Sequence, residues 1–217
     1  MADRREPAVP AVPLLIACAL GIEKFALRAG DRRRGGSGAT VLRTGMGPAN
    51  AGRAVRAACG TEPFREAAVV ASGFCAGLAP GMHPGDLVVV EEARLGGVST
   101  PCTGTDLLAK AVARAVPGRT VHRGPLTGVD HVVRGHERAQ LLAAGAIAAD
   151  MESAATLNSA METGSRPVAA VRVVVDAPEH ELVRIGTLRG GISAFRVLRA
   201  VMPAFLEWHR SLLLPRR

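Results

Sequence analysis

The 217-residue sequence predicts a single α/β domain with a largely parallel or mixed sheet. Three observations carry that prediction. Short apolar runs rich in Val, Leu, Ile and Ala recur along the chain, and between them lie segments whose apolar positions fall at helical spacing. The 25 Gly and 14 Pro supply the turns that many strand–helix junctions need. Hydrophobic residues make up 48% of the chain but aromatics only 3%, with no Tyr, so aliphatic side chains must fill one core. The length suits one large domain, and no segment repeats at a solenoid period.

Taken in order, residues 1–12 read as a loose, Pro-containing flexible leader, and 13–217 as the domain. Pro13 to Ala19 is a first strand, followed by the turn Leu20-Gly21-Ile22-Glu23 and a helix through Leu27. Arg28 to Gly38 reads as an exposed Gly/Arg turn. Thr40 to Thr44 is a strand, and Gly45-Met46-Gly47-Pro48 turns into the helix Ala49–Cys59. That turn is not a dinucleotide fingerprint, because the third Gly is replaced by Asn50, yet its amides could approach an anion or a ribose. Glu66 to Ser72 and Asp86 to Glu91 are strands, Thr105 to Ala115 a helix, and Val121 to Leu126 a strand. A helix from Glu137 to Ala144 closes on Gly145. Ala146 to Ala149 is a short strand whose period changes at Asp150-Met151-Glu152 into a helix ending at Gly164. Pro167 to Val175 is the most continuous apolar strand and delivers Asp176 at its end. A final helix, Gly190 to Leu214, contains Pro203, which predicts a kink or two shorter helices.

The net charge of +8, carried almost wholly by Arg, favours anionic partners such as nucleotides, phosphate or an acidic membrane surface. Nucleic acid is disfavoured, since neither a recognition-helix signature nor aromatic interleaving is present. The four cysteines, Cys18, Cys59, Cys75 and Cys102, show no metal spacing, and no His lies in an HxxxH or HExxH pattern, so no metal site is expected. No GxxxxGK[ST] occurs, and no cofactor is expected. Val9 to Leu20 is apolar but broken by Pro10 and Pro13, too short for a bilayer span. A cytoplasmic protein with reduced thiols is the expectation.

Glu23, Glu152 and Asp176 fall at or just beyond strand ends, where α/β folds bind their ligands. Singly, each reads equally well as a solvated loop acid, and Asp150 as a helix cap; together they could share a pocket. A competing constellation is Gly73-Phe74-Cys75-Ala76-Gly77, a nucleophile-elbow pattern with Cys for Ser, with His131 or His136 as base and Asp176 as orienting acid. Against it, Leu78-Ala79-Pro80 breaks the helix that should follow. A non-catalytic nucleoside-binding module is a third reading.

Six stretches occur in order: Ala17-Cys18-Ala19-Leu20-Gly21-Ile22-Glu23, Thr44-Gly45-Met46-Gly47, Ser72-Gly73-Phe74-Cys75-Ala76-Gly77-Leu78, Pro84-Gly85-Asp86-Leu87-Val88-Val89, Asp150-Met151-Glu152 and Val171-Arg172-Val173-Val174-Val175-Asp176. Together they resemble the purine nucleoside phosphorylase/nucleosidase superfamily, especially its methylthioadenosine/adenosylhomocysteine nucleosidase branch, over residues 13 to 210. The resemblance implies a three-layer α/β/α, nucleoside phosphorylase-like fold with a twisted mixed sheet, and cleavage of an N-ribosidic bond through an oxocarbenium-like transition state. It assigns Asp176 to protonate purine N7, which requires a raised pKa, and Glu23 to activate the attacking water. Glu152 would bind the ribose hydroxyls, Met151 would pack on the sugar, and Met46, Ala76, Gly77 and His131 would line ribose and base. The chain departs from the nucleosidases at Phe74 and Val175, where they have Ser, and at His131, commonly Phe. Inorganic phosphate is therefore an alternative nucleophile and co-substrate, with Arg43, Arg53 and Arg94 as candidate ligands.

From Val171 to Arg217 the chain most resembles the hopanoid-biosynthesis branch, through Asp176-Ala177-Pro178 and Leu188-Arg189-Gly190-Gly191. That branch implies release of adenine from adenosylhopane, a lipid-linked nucleoside. The apolar Leu212-Leu213-Leu214 end could then touch an acidic membrane, or simply pack as helix. The alternative within the class is a methylthioadenosine/adenosylhomocysteine or futalosine-type nucleosidase. Relatives imply a homo-oligomer.

Overall fold

Strands that read as near-continuous aliphatic runs need cover on both faces, and that requirement organises the architecture. The computed structural model describes residues 12–32, 38–177 and 187–213, with side chains from 193 onward in the last segment. The strands are β1 (Leu14–Cys18), β2 (Thr40–Arg43), β3 (Ala68–Gly77), β4 (Leu87–Leu95), β5 (Val98–Pro101), β6 (Val121–Gly128), β7 (Ala148–Asp150) and β8 (Val168–Asp176). The helices are α1 (Gly21–Arg32), α2 (Pro48–Cys59), α3 (Thr105–Ala115), α4 (His136–Ala143), α5 (Ser153–Glu162), α6 (Thr187–Ala200) and α7 (Met202–Leu212).

The sheet is mixed, as expected, and it also closes on itself. β3 pairs with β7 and β8, β8 with β4, β4 with β6, and β6 with β7, so these five strands form a ring. β1 and β2 extend outward from β3, all parallel, and β5 hangs antiparallel on β4. The three layers follow from strand alternation. Leu14, Ile16 and Cys18 of β1 join a core with Leu27 of α1, Leu108 of α3, Leu198 of α6, and Phe205 and Trp208 of α7. Leu15 and Ala17 point the other way, into a core with Val55 of α2 and Leu157 of α5. Burying a side chain such as Phe205 contributes about 1.5–3 kcal/mol. α4 sits over one end, with Leu141 and Leu142 against Leu78 and Val133.

Several sequence expectations change. The turn placed at Arg28–Gly38 begins too early: α1 continues to Arg32. Gly30 lets it do so, because a Cβ there would collide with the Arg199 carbonyl and lie 2.9 Å from Met202 Cβ, so α1 packs tightly on the α6–α7 junction. Gly73-Phe74-Cys75-Ala76-Gly77 is not an elbow but the last part of β3. There the strand bulges between Cys75 and Ala76, leaving its full pairing with β8 and taking up β7 opposite Ala76 and Gly77. β5 has no counterpart in the sequence reading; Gly96 and Gly97, both at positive φ, form its hairpin turn. The helix containing Pro203 is, as one of the two expected outcomes had it, two helices, broken at Val201. Residues 1–11 of the 1–12 leader, Pro178 and Leu214 lie outside the described residues.

Candidate active site

The C-terminal ends of β1, β3, β6, β7 and β8 meet at one place, and the acids at those ends converge there. Glu23, in the first turn of α1, reaches back so that one oxygen accepts the amides of Ala19 (2.9 Å) and Leu20 (2.8 Å). This is half of a capping box, which ties an otherwise orphaned helix start. Its other oxygen accepts the Phe74 amide of β3 at 2.9 Å, and the residue is 2% exposed. The same carboxylate therefore holds α1, the β1 end and β3 in register.

Arg172 lies beneath these acids, in the middle of β8 and fully buried. Its Nε bonds Asp150 and the Ser153 hydroxyl, each at 2.6 Å, and Asp150 also accepts the Ser153 amide at 3.0 Å. Asp150 thus plays the capping part expected of it and also anchors a buried cation. Glu23 and Glu152 act on the same guanidinium electrostatically, and together with Asp150 they push its pKa up against its burial. Arg172 Nη1 has no hydrogen-bond partner. Only Gly fits at position 73: a Cβ there would overlap both Glu23 Oε1 and Arg172 Nη1, at φ +150°.

Glu152 begins α5 and accepts the Gly47 amide at 2.8 Å, which fastens the Gly45–Pro48 turn over the site. Burial pushes its carboxyl above the usual range, with Arg172 partly opposing. Asp176, at the end of β8, forms a buried ion pair with Arg138 of α4, whose Nη1 also donates to the Gly77 carbonyl at 3.1 Å. The Arg138 guanidinium is thus the cation beside the acid to which the resemblance assigns proton transfer to the base.

These groups surround a cavity of about 320 Å³, within the range of small-molecule sites. Glu23, Glu152, Asp176, Met151, Met46, Ala76 and His131 all line it, together with Leu20, Phe74, Cys75, Val132 and Asp150. Gly77 does not. Its carbonyl is taken by Arg138, and a Cβ added there would meet Met82 and Val174. His131 stands at the rim, 2.7 Å from Asp130 and 2.8 Å from Glu137, and those two acids raise its pKa.

The Cys75 thiol is buried, and burial with the neighbouring Asp150 pushes its pKa up, the opposite of what an activated nucleophile needs. The arginines considered for phosphate are elsewhere: Arg53 bonds Asn50 along α2, Arg94 pairs with Glu92 beside the β4–β5 hairpin, and Arg43 is not among the lining residues. Sequence reasoning missed Arg172 and Arg138. For Arg172 a signal existed, a single charge inside an unbroken aliphatic strand, which must be paired to be buried. Among the described residues no cluster of His, Cys, Asp and Glu could hold a metal ion, and no helix is long and apolar enough to cross a membrane.

A family model described as the phosphorylase superfamily matches residues 22–201, a span that contains every one of these acids. The chain belongs to the phosphorylase superfamily. No curated protein sequence matches it. Among solved structures it is similar to the S-adenosylhomocysteine nucleosidase of Streptococcus pyogenes in complex with 5-methylthiotubericidin (18% identity, 93% of this chain and 98% of that one, TM-score 0.73). It is also similar to the 5′-methylthioadenosine/S-adenosylhomocysteine nucleosidase of Neisseria meningitidis in complex with methylthio-immucillin-A (20%, 93% and 99%, TM-score 0.69). A Colwellia psychrerythraea nucleosidase in complex with adenine is a third (17%, 93% and 96%, TM-score 0.71). At these identities the likeness is one of fold.

Proposed function

We propose that this member of the superfamily releases adenine from a 5′-substituted adenosine by hydrolysis of the N-ribosidic bond. The observation that carries the reading is the convergence of Glu23, Glu152 and Asp176 on one cavity of nucleoside size. As the C1′–N9 bond breaks, its electron pair moves onto the purine and positive charge grows on the sugar. Glu152 accepts hydrogen bonds from the ribose hydroxyls, with Met46 and Met151 against the ring. Water adds to C1′ and gives its proton to Glu23, while purine N7 takes a proton from the Asp176 carboxyl; Glu23 then releases its proton to solvent and Asp176 regains one from it. The similar solved nucleosidases, whose complexes hold 5′-thio adenosine analogues and adenine, support this ligand class.

Electrostatics favours water over phosphate. Four carboxylates line the cavity, and among the described lining residues only His131 can carry a positive charge. Arg172 and Arg138 are each bound to a carboxylate. A phosphate dianion would meet net negative charge.

The 5′ group is apolar in this reading. Leu20, Met46 and Val132 line the cavity, and the last two are 57% and 60% exposed, so the pocket opens on an apolar edge. Adenosylhopane is the substrate that the sequence resemblance favours; methylthioadenosine or adenosylhomocysteine is the second reading, favoured by the structural neighbours. Chromatographic detection of free adenine, from each substrate with and without phosphate, tests both. Phosphate-independent release supports hydrolysis, and strict phosphate dependence overturns it. Adenosine derivatives that bind but never yield adenine would make the chain a binding module.

A further inference from the structure

The helix that carries Glu23 to the cavity has a second face, which the reaction does not use. Residues follow one another around a helix at about 100° each. Glu23, Ala26, Leu27 and Gly30 of α1 fall on one arc and are buried. The opposite arc carries Ile22, Lys24, Phe25, Arg28 and Arg32, with Asp31 as its one acid. These side chains are sorted. Lys24, Arg28 and Arg32 recur at i, i+4 and i+8 and form a cationic strip. Ile22 and Phe25 stand beside it, 54% and 63% exposed. Phe25 is braced in that position, its ring stacked on Phe195 of α6 with the centroids 6.0 Å apart.

The charge on this strip is uncompensated. Among the described residues none of its three cations pairs with a carboxylate, whereas Arg56, Arg94, Arg114 and Arg123 on other elements each do. The three cations and Asp31 border a hollow of about 340 Å³, closed by Thr40 and Val41 of β2. The face also adjoins the mouth of the cavity. Leu20, just before α1, and Glu23 line that cavity, and so do the exposed Met46 and Val132.

Exposed apolar side chains beside cations match a bilayer with anionic head groups: the apolar groups enter the boundary of the acyl chains and the cations take the phosphates. A second copy of the chain matches it less well. A two-fold contact through this arc would gather three cations from each partner into one interface.

We propose that the outward face of α1 docks on an anionic lipid bilayer, with Ile22 and Phe25 in the head-group boundary and Lys24, Arg28 and Arg32 on the phosphates. Docking turns the mouth of the cavity toward the surface, so that an apolar 5′ group passes between bilayer and pocket. That consequence rests on the reading of the cavity as a nucleoside site; the docking itself does not.

Flotation of the full chain with vesicles tests the docking. The wild type should float with vesicles of phosphatidylcholine and phosphatidylglycerol in equal parts, not with phosphatidylcholine alone, and high salt should release it. The triple variant K24Q/R28Q/R32Q should bind on the order of 100-fold more weakly, roughly fivefold per cation. Its release of adenine from a soluble adenosine derivative should stay near wild type. Phe25→Trp adds a reporter of depth, since Trp208, the one native Trp, is fully buried. Emission from position 25 should shift to the blue on the mixed vesicles and be quenched by lipids brominated on their acyl chains.

A wild type that ignores the mixed vesicles overturns the proposal. Binding that the triple variant leaves unchanged, or that spares the reporter from quenching, overturns it too. Should the triple variant not fold, the salt dependence and the quenching decide. Sedimentation velocity supplies the rival outcome: a wild-type dimer that Phe25→Ser disperses assigns the face to a second copy and overturns the docking. Vesicle binding by a chain that releases adenine from no adenosine derivative would uphold the docking and break the functional reading instead.

Discussion

At the end of the cavity where we place the sugar one guanidinium serves three carboxylates; at the end where we place the base one guanidinium serves one. Arg172 sits mid-strand in β8, bonded to Asp150 and Ser153, with Glu23 and Glu152 close enough to act on its charge. Arg138 rides on an eight-residue helix and holds only Asp176 and a carbonyl. The first arrangement is a hub that the fold cannot lose, because it neutralises acids that several elements depend on. The second is one buried ion pair carried on a short helix. A shared hub where the sugar is gripped, and a single pair beside the acid that gives up a proton, is the division of labour the two ends suggest.

That contrast can be broken most directly at Arg172. Arg172→Met strands Asp150 as an unpaired buried charge and should cost about 3–5 kcal/mol, read as a large fall in the thermal midpoint. If R172M melts like wild type, the hub is not structural. Asp176→Asn is the counterpart at the other end: adenine release should drop about 10²–10⁴-fold. Its stability should fall less than that of R172M, since the Asn carbonyl can still accept from Arg138. An R172M and a D176N that melt alike would erase the distinction.

Smaller changes sharpen it. Glu152→Gln should impair release yet raise the melting temperature at neutral pH. The sign follows from burial: the raised folded-state pKa of Glu152 means that its contribution is fully present below the unfolded value, near 4.5, and is lost as pH rises through the folded one. Gln removes that loss and can still accept the Gly47 amide. Cys75→Ser should leave the turnover of folded protein near wild type while costing about 1–3 kcal/mol for a buried hydroxyl without an assured partner; loss of activity there would revive the thiol nucleophile. The least effect is expected at His131. Asp130 and Glu137 raise its pKa, so its stabilising contribution is full below about 6.5 and disappears as pH rises through the folded value. His131→Asn should flatten the melting-temperature profile across that window.

Much of this site was legible because its acids stand at changes of period. Glu23, Glu152 and Asp176 each mark the point where an apolar strand run ends, and strand ends gather at one edge of a sheet. The two arginines were not legible in the same way. Arg172 hides inside Val-Arg-Val-Val-Val, where the apolar neighbours show the strand but not what neutralises the charge. Arg138 lies in the polar helix His136–Ala143, where an Arg is ordinarily a solvated side chain. Closure of the ring was hidden too, because the β4–β8 pairing joins residues far apart in the chain and no local pattern records it. Gly77 illustrates the limit from the other side: it follows Ala76 directly in sequence, yet a Cβ there would meet Met82 and Val174.

The central claim, that the converging acids form a hydrolytic nucleoside site, is tested most directly at Glu23. Adenine release from a 5′-substituted adenosine should be compared between wild type and Glu23→Gln, with adenine binding measured on the same samples. Gln preserves the shape and can still accept the Leu20 amide, so the variant should bind adenine within a fewfold of wild type. Its release of adenine should fall at least about 10²-fold, because no base remains to take the proton from water. A Glu23→Gln protein that releases adenine at the wild-type rate would contradict the account.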